Sequence, residues 1–373
     1  MELTQVGEFS HCAIPEQDSF EAPTASPLSP SVFDLGELIV EEHGGASPDT
    51  DGMDFLVTEE RIVQEVELLQ AKDLSQVLAA WVADYAQVGS RESYLWTWCQ
   101  QGVQVTTLPG VAPDTYDELC DTKVLGVMLD VLLDDVADQK GDVELLEQML
   151  RIPFSDQPLD WQRFTHEECD YAAFAEVVWN EVQLRVERLP RYGVFQDVLR
   201  YDYGQLLNTM RYAHLLNRFP SMLNLAEHDL YLPHNMHMMI SATMDLMCSP
   251  GFDFDELGRL REAIWHAQYM GRIGNLVTTW ERELLEGDFT SGVFAHAVIH
   301  GDLTLEQLEN GDRDVIARAI RQGQHEEYFL RQWQGHRRRL IDLQVSLTSV
   351  DLKPFVHGIE RLFCLHMASR GLK

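Results

Sequence analysis

The sequence predicts an all-α protein, with one large domain built from about ten or more helices. Apolar residues recur at steps of three and four from Thr58 onward, as in helices that bury one face. Proline and glycine interrupt this pattern at spacings typical of helix connections. No alternating strand pattern flanks an Asn-Gly or Asp-Gly turn, so hairpins are not indicated.

The composition predicts a soluble, cytoplasmic protein. The 373 residues are 45% hydrophobic, enough for a sizeable core, and the formal charge of −33 argues against nucleic acid or an anionic membrane surface as a partner. Six cysteines without a zinc-type spacing indicate free thiols in a reducing compartment. No signal-peptide pattern opens the chain, and no apolar run of about 18 residues occurs, so we expect no membrane span.

Residues 1–58 are predicted to form a disordered, acidic and proline-rich N-terminal segment. They contain five prolines, and no lysine or arginine occurs before Arg61. Such a segment buries too little apolar surface to offset the entropy lost on ordering. Residues 59–373 are predicted to form the helical domain.

Six stretches of this domain carry the helical pattern most clearly: 73–89, 116–139, 170–189, 235–247, 254–287 and 326–347. Asp73 precedes the first of them and suits the N-cap position. Breaks between helices are predicted at Pro109–Gly110, Pro153, Pro220, Pro233, Pro250–Gly251 and Gly287.

One helical stretch, GRIGNLVTTWERE at 271–283, carries polar residues at equal steps. Asn275, Thr279 and Glu283 are four residues apart, so their side chains fall on nearly one helix face. An amide oxygen, a hydroxyl and a carboxylate are hard ligands suited to Mg²⁺. Arg272 and Arg282 lie close by and would attract an anion.

A second stretch, LDVLLDDVADQKGD, supplies carboxylates about 140 residues earlier. Asp134, Asp135 and Asp138 spell DDxxD, and Asp130 precedes Asp134 by about one turn. Carboxylates four residues apart on a helix repel each other, more strongly when they are partly buried. The apolar neighbours favour such burial over a solvated acidic face, so a cation is expected to neutralise them.

Together the two stretches predict a metal site shared by two helices that face each other across a cavity. A cluster of about three Mg²⁺ ions held in this way would suit a diphosphate, because the cations bridge its oxygens while an arginine donates to others.

DDVAD and NLVTTWERE resemble the two metal motifs of class I terpene synthases, the aspartate-rich motif and N-x-x-x-[ST]-x-x-x-E. The resemblance implies an all-α domain with a central active-site cavity, and a lyase that ionises an isoprenoid diphosphate with Mg²⁺ and rearranges the carbocation. It implies metal ligation by Asp134, Asp135, Asp138, Asn275, Thr279 and Glu283. Asp134 and Arg272 would be catalytic, and Arg272, Arg282 and Arg370 would bind the diphosphate.

The resemblance is incomplete in three places. The usual aspartate after the first asparagine is Leu276 here. The stretch EHDLYLPHNMH lacks the arginine that many bacterial members carry before the second motif, so Arg272 or His234 would replace it. The C-terminal Arg-Tyr pair is represented by Arg370–Gly371.

His228, His234 and His237 lie near one another in the sequence, but no cysteine or carboxylate pattern completes a zinc site.

The substrate and its processing stay open at this point. RIGNLVTTWERE resembles the form in kaurene-synthase-like, labdane-related enzymes, which implies a C20 substrate, either geranylgeranyl diphosphate or a copalyl-type diphosphate. Alternatives are a sesquiterpene synthase acting on farnesyl diphosphate, a chain-elongating prenyl diphosphate synthase, and a non-catalytic acidic helical interaction protein. A monomer and a homodimer are both compatible with the pattern.

Overall fold

The computed structural model describes residues 55–138, 143–154, 160 and 162–371, so the predicted disorder of 1–58 lies almost wholly outside the described residues. Within these ranges the chain forms fifteen α-helices: α1 Glu59–Gln70, α2 Gln76–Tyr85, α3 Ser93–Val105, α4 Tyr116–Asp138, α5 Val143–Met149, α6 His166–Val186, α7 Tyr192–Arg218, α8 Leu225–Tyr231, α9 Met238–Met247, α10 Leu257–Glu286, α11 Gly292–His300, α12 Leu305–Asn310, α13 Arg313–Gln322, α14 His325–Gln344 and α15 Lys353–Ala368. The all-α prediction is confirmed.

The predicted breaks all fall between α-helices. Pro220 opens a 3₁₀ turn at Pro220–Met222, and Pro233 lies in another at Leu232–Met236. Gly287 ends α10 with φ of 75°, a left-handed conformation that glycine adopts without steric cost.

Among the predicted helix starts that differ from the structure, two have a clear local cause. α2 begins after Ser75, whose hydroxyl accepts the Leu78 N–H at 3.1 Å, so Asp73 is not the N-cap. α9 begins only at Met238, because the 3₁₀ turn after Pro233 is followed by His237 in the left-handed conformation.

The long helices form a closed ring of packing contacts. α4 packs against α3, α3 against α15, and α15 against α10; α10 packs against α9, and both α9 and α7 return to α4. In the part of the chain that the structure describes, α4 and α10 meet through these neighbours rather than by packing along their length. The two helices therefore face each other across the interior of the ring.

Large aromatic side chains fill the core around this ring. Trp96 is fully buried against Tyr85 at 4.7 Å between ring centroids, and buried Trp333 lies 4.7 Å from Phe363. None of the described helices combines the length and apolar character needed to cross a bilayer.

Candidate active site

The C-terminal end of α4 concentrates negative charge in an electrostatically unfavourable place. Asp134, Asp135 and Asp138 occupy its last turn and a half, and no basic residue accompanies them in the last turn. A helix C-terminus carries partial negative charge, so each carboxylate there costs roughly 0.3–1 kcal/mol when exposed. The neighbouring Leu132, Leu133 and Val136 are buried, as their apolar character predicted.

Asp135 has a cationic partner within the chain. The Arg91 guanidinium donates from Nε to Asp135 Oδ1 at 2.9 Å, and Asp135 raises the pKa of Arg91. Sequence reasoning missed Arg91, which lies 44 residues earlier in the connection before α3. Of the three carboxylates in the DDxxD motif, Asp135 is thus the one that the protein itself already neutralises.

The predicted triad lies on one face of α10. Thr279 Oγ1 donates to Glu283 Oε1 at 2.6 Å, and Asn275 Oδ1 accepts from Arg272 Nη1 at 3.1 Å. Thr279 and Glu283 are buried. Glu283 Oε2 has no hydrogen-bond partner among the described residues, so this buried carboxylate oxygen is free to bind a cation.

Arg272 joins the two predicted motifs. Its guanidinium is buried, donates from Nη2 to the Thr290 carbonyl at 3.0 Å, and keeps Nε without a hydrogen-bond partner among the described residues. Burial raises the pKa of Asp134 on α4 and of Glu283 on α10, and the charge of Arg272 opposes this rise in both. Arg272 is therefore close to carboxylates of both helices.

Asp134, Asp138, Glu283 and Asp288 form one group of interacting charges, which we call the acidic cluster. Burial raises the pKa of Asp134 to about 6, helped by Asp135 and Asp288. Burial followed by Asp288 raises the pKa of Glu283 to about 7. Asp138 has its pKa raised well above the usual value by burial, then by Asp288, Asp134 and Glu283. The end of α4 and the end of α10 therefore converge in space.

Two members of the acidic cluster are partly exposed. Asp134 and Asp138 remain partly accessible to solvent although both lie deep within the molecule. Two surface grooves of about 360 and 310 Å³ lie elsewhere, one between α1 and α15 and one beside α5, and neither is lined by a member of the cluster.

Asp288 was not predicted as a site residue. The left-handed Gly287 turns the chain back, and the Asp288 N–H donates to the Glu283 carbonyl at 2.9 Å. Its carboxylate accepts from Asn217 Nδ2 of α7 at 3.0 Å and from the Thr290 N–H at 2.9 Å. A glycine directly after the motif helix was the available signal, because such a cap folds the next residue alongside the last turn.

Arg282 and Arg370 have other partners. Arg282 Nη1 donates to Glu286 at 2.6 Å, while its charge still lowers the pKa of Glu283. Arg370 pairs with Glu326 at 2.7 Å and lies 3.5 Å from Glu281. Neither of these acids belongs to the acidic cluster, so a diphosphate-binding role for Arg370 stays a prediction.

Asp130 has a partner of its own outside the acidic cluster. Its Oδ2 accepts from His237 Nδ1 at 2.5 Å, and both side chains are buried. Burial raises the pKa of Asp130 above its usual value, and the nearby His237 limits that rise. The line of carboxylates predicted from the four-residue spacing is therefore divided, because Asp130 contacts His237, just before α9, while Asp134 and Asp138 interact with carboxylates at the end of α10.

The carboxylates of the acidic cluster interact electrostatically, but they are not arranged as a complete metal-binding site. Among the described residues, no three His, Cys, Asp or Glu side chains are grouped so that they could hold a metal ion. The donor set nevertheless suits Mg²⁺, since it consists of oxygens, one of them a buried and unpartnered carboxylate oxygen. Such an arrangement fits ions that complete their coordination with water or with an oxygen-rich ligand.

No protein-family model and no curated protein matches the chain. Among solved structures it is similar to isoprene synthase from grey poplar leaves (Populus x canescens), determined in complex with three Mg²⁺ ions and dimethylallyl-S-thiolodiphosphate. The TM-score is 0.52 at 12% identity, covering 83% of this chain and 54% of that one. The chain has the all-α terpene synthase fold. It spans about half the length of this solved relative, and the likeness concerns the fold alone.

Proposed function

We propose that the chain is a Mg²⁺-dependent class I terpene synthase, a lyase that ionises an isoprenoid diphosphate and rearranges the resulting carbocation. The acidic cluster is the observation that carries the proposal. It joins the ends of α4 and α10, the two helices that hold the predicted metal motifs, inside a terpene synthase fold.

The charge balance of the site supports a metal-bound anion as its ligand. Asp134 and Glu283 interact with the cation Arg272, and burial together with the remaining negative charge of the acidic cluster raises the pKa of Asp134, Asp138 and Glu283. Divalent cations would remove this repulsion and reverse the sign of the site, which lets a diphosphate enter an otherwise acidic protein. Asp134 and Asp138 would hold ions from α4, with Asp135 in support. Asn275, Thr279 and Glu283 would hold an ion from α10.

When bound, Mg²⁺ would supply Lewis-acid stabilisation of the charge that develops on the leaving diphosphate. Arg272 would add a hydrogen bond to the same oxygens, because its buried Nε has no other acceptor among the described residues. Its contacts with Asn275 and Thr290 already fix the guanidinium in place, so little ordering is needed on binding.

Buried and partly buried aromatic side chains of α6 and α7, two helices that pack on α4, would exclude water and offer aromatic faces to a carbocation. Tyr203 lies between Trp179, at 5.0 Å, and His237, at 5.9 Å, with both rings approaching edge to face. Cations favour aromatic faces, and a dry interior protects a carbocation from capture by water.

We propose a C20 substrate, geranylgeranyl diphosphate or a copalyl-type diphosphate, on the basis of the stretch RIGNLVTTWERE. The C15 farnesyl diphosphate is the second choice. Neither choice follows from the fold likeness.

The decisive assay incubates purified protein with C10, C15, C20 and copalyl-type diphosphates, with and without Mg²⁺. We expect Mg²⁺-dependent diphosphate release together with a hydrocarbon or terpenoid alcohol detected by mass spectrometry. Parallel reactions with isopentenyl diphosphate test chain elongation, which a longer diphosphate product would indicate. Absence of diphosphate release from every substrate would contradict the proposal.

A further inference from the structure

His237 occupies a left-handed backbone position, which is uncommon for residues other than glycine. Its φ of 59° and ψ of 2° are left-handed, and it precedes α9 without a side-chain capping bond. Glycine or asparagine would adopt this conformation more readily, and serine or aspartate would cap the helix better. Local structure therefore does not explain the histidine, and such departures concentrate at functional sites.

The imidazole is held by one carboxylate and is free at its other nitrogen. Nδ1 lies 2.5 Å from Asp130 Oδ2, and we assign Nδ1–H as the donor because an ionised carboxylate only accepts; the two side chains are only 2% and 6% exposed. Nε2 is buried and has no hydrogen-bond partner among the described residues. A carboxylate on Nδ1–H fixes the tautomer in which Nε2 carries the lone pair, as in other Asp-His pairs.

The free nitrogen lies beside the helix that carries the first metal motif. A Cβ added to Gly126 of α4 would be 2.8 Å from His237 Nε2, so the imidazole occupies space that only glycine leaves open. That added Cβ would also lie 3.3 Å from the Tyr203 hydroxyl, which has no hydrogen-bond partner in the described part of the chain. Asp130 precedes Asp134 by about one helical turn. An unpartnered base thus lies beside α4 at Gly126, about two helical turns before Asp134 of the acidic cluster.

We propose that His237 is the base that ends the reaction by removing a proton from the carbocation. This inference rests on the proposed function. A C–H bond next to the cationic carbon breaks, its electron pair becomes the new C=C bond, and the proton forms a bond to Nε2. The imidazolium formed in this step faces the Asp130 carboxylate, and it returns the proton to water after the product leaves. Asp130 is then a positioning residue, and the product is an olefin rather than an alcohol.

A second buried histidine provides the matched control. His325 of α14 is 1% exposed and lies 3.3 Å from the Asp302 carboxylate, but α14 packs outside the ring, on α10, α11, α13 and α15. His237→Gln and His325→Gln each remove one buried imidazole that lies beside an aspartate. Only the first removes it from the interior of the ring.

The test measures olefin formed per diphosphate released, for wild type, His237→Gln, Gly126→Ala and His325→Gln. We expect His237→Gln to keep releasing diphosphate while the olefin yield per release falls at least tenfold and alcohol or truncated products rise. Gly126→Ala keeps the base but displaces its ring, and it should shift the same ratio in the same direction. His325→Gln should leave the ratio unchanged.

An unchanged ratio in both His237→Gln and Gly126→Ala would overturn the assignment of the base. If His237→Gln fails to fold, as judged by circular dichroism, Gly126→Ala alone decides the question. A wild-type protein that releases no diphosphate contradicts the proposed function instead, so the two failures are distinguishable.

Discussion

In the first half of α4, Lys123 forms a buried ion pair with Asp245 of α9. In the last turn and a half of the same helix, by contrast, Asp134 and Asp138 face two further carboxylates. The Lys123 ammonium lies 2.5 Å from Asp245 Oδ1 and also donates to Thr107 at 2.9 Å. Asp245 Oδ2 accepts the Leu108 N–H at 2.9 Å. Charge that holds the helices together is thus matched within the chain. At the other end of the same helix carboxylates exceed cations, and we infer that the matching charge comes from a ligand.

The largest expected effect concerns the unmatched end. Asp134→Asn or Asn275→Ala should lower Mg²⁺-dependent diphosphate release at least 10⁴-fold, equivalent to about 5.5 kcal/mol of activation free energy. Circular dichroism should show unchanged helicity. Asp117→Asn, an exposed carboxylate at the start of α4, is the control and should leave release within about twofold, because a surface charge far from the site contributes little. Unchanged release in both site variants would contradict the metal assignment.

The matched end should respond in stability. Lys123→Met leaves Asp245 buried without its cation, and we expect the free energy of unfolding to fall by about 3–5 kcal/mol in urea denaturation. The double variant Lys123→Met with Asp245→Asn removes both charges and should recover much of the loss. If the single variant is as stable as wild type, the pair does not hold α4 to α9.

The acidic cluster should make stability without Mg²⁺ depend on pH. The pKa of Glu283 is about 7 in the folded protein, above its usual 4.5, so the folded state retains a proton that the unfolded state has lost. The contribution of Glu283 to stability should therefore fall as pH rises from about 4.5 to 7, by up to about 1.4 kcal/mol per pH unit. It is measured as the stability difference between wild type and Glu283→Gln, because histidines with a lowered pKa, such as His296 and His336, change total stability in the opposite direction. The pKa of Asp134, about 6, is also above its usual value, so Asp134 changes stability in the same direction as Glu283.

The control for this prediction is a metal titration. Mg²⁺ binds the ionised carboxylates, so saturating Mg²⁺ should flatten the decline, and metal affinity should increase with pH. A stability difference between wild type and Glu283→Gln that stays constant between pH 4.5 and 7 without Mg²⁺ would contradict the unmatched charge.

The smallest effect is a gain in stability. Asp138→Asn removes one of the mutually repelling carboxylates and should raise the free energy of unfolding without Mg²⁺ by about 1 kcal/mol. In saturating Mg²⁺ the wild type should be the more stable protein, because the variant lacks a ligand. A variant that is less stable under both conditions would indicate that Asp138 is matched within the chain.

Spacing within one helix could be predicted from the sequence, and partners on other helices could not. The helices and the common face of Asn275, Thr279 and Glu283 follow from the 3.6-residue period, and the breaks between helices follow from proline and glycine. The bonds of Asp135 to Arg91 and of Asp130 to His237 span 44 and 107 residues, and no local pattern reports such pairs. Those pairs decide which carboxylates stay unmatched.

Local backbone conformation explains two further differences between the predictions and the structure. Asp288 joins the acidic cluster only because Gly287 turns the chain back along α10. α9 starts at Met238, later than predicted, because His237 is in the left-handed conformation, which helical periodicity cannot predict.

The most direct test is the location of the ions themselves. Crystals grown with pyrophosphate and Mn²⁺, a substitute for Mg²⁺ that scatters anomalously, would show where oxygen ligands bind metal. We expect anomalous peaks between α4 and α10, around a common pyrophosphate. The ions should be bound on one side by Asp134 or Asp138 and on the other by Asn275, Thr279 or Glu283. Peaks confined to one helix, or none near either helix while pyrophosphate is bound elsewhere, would contradict the account.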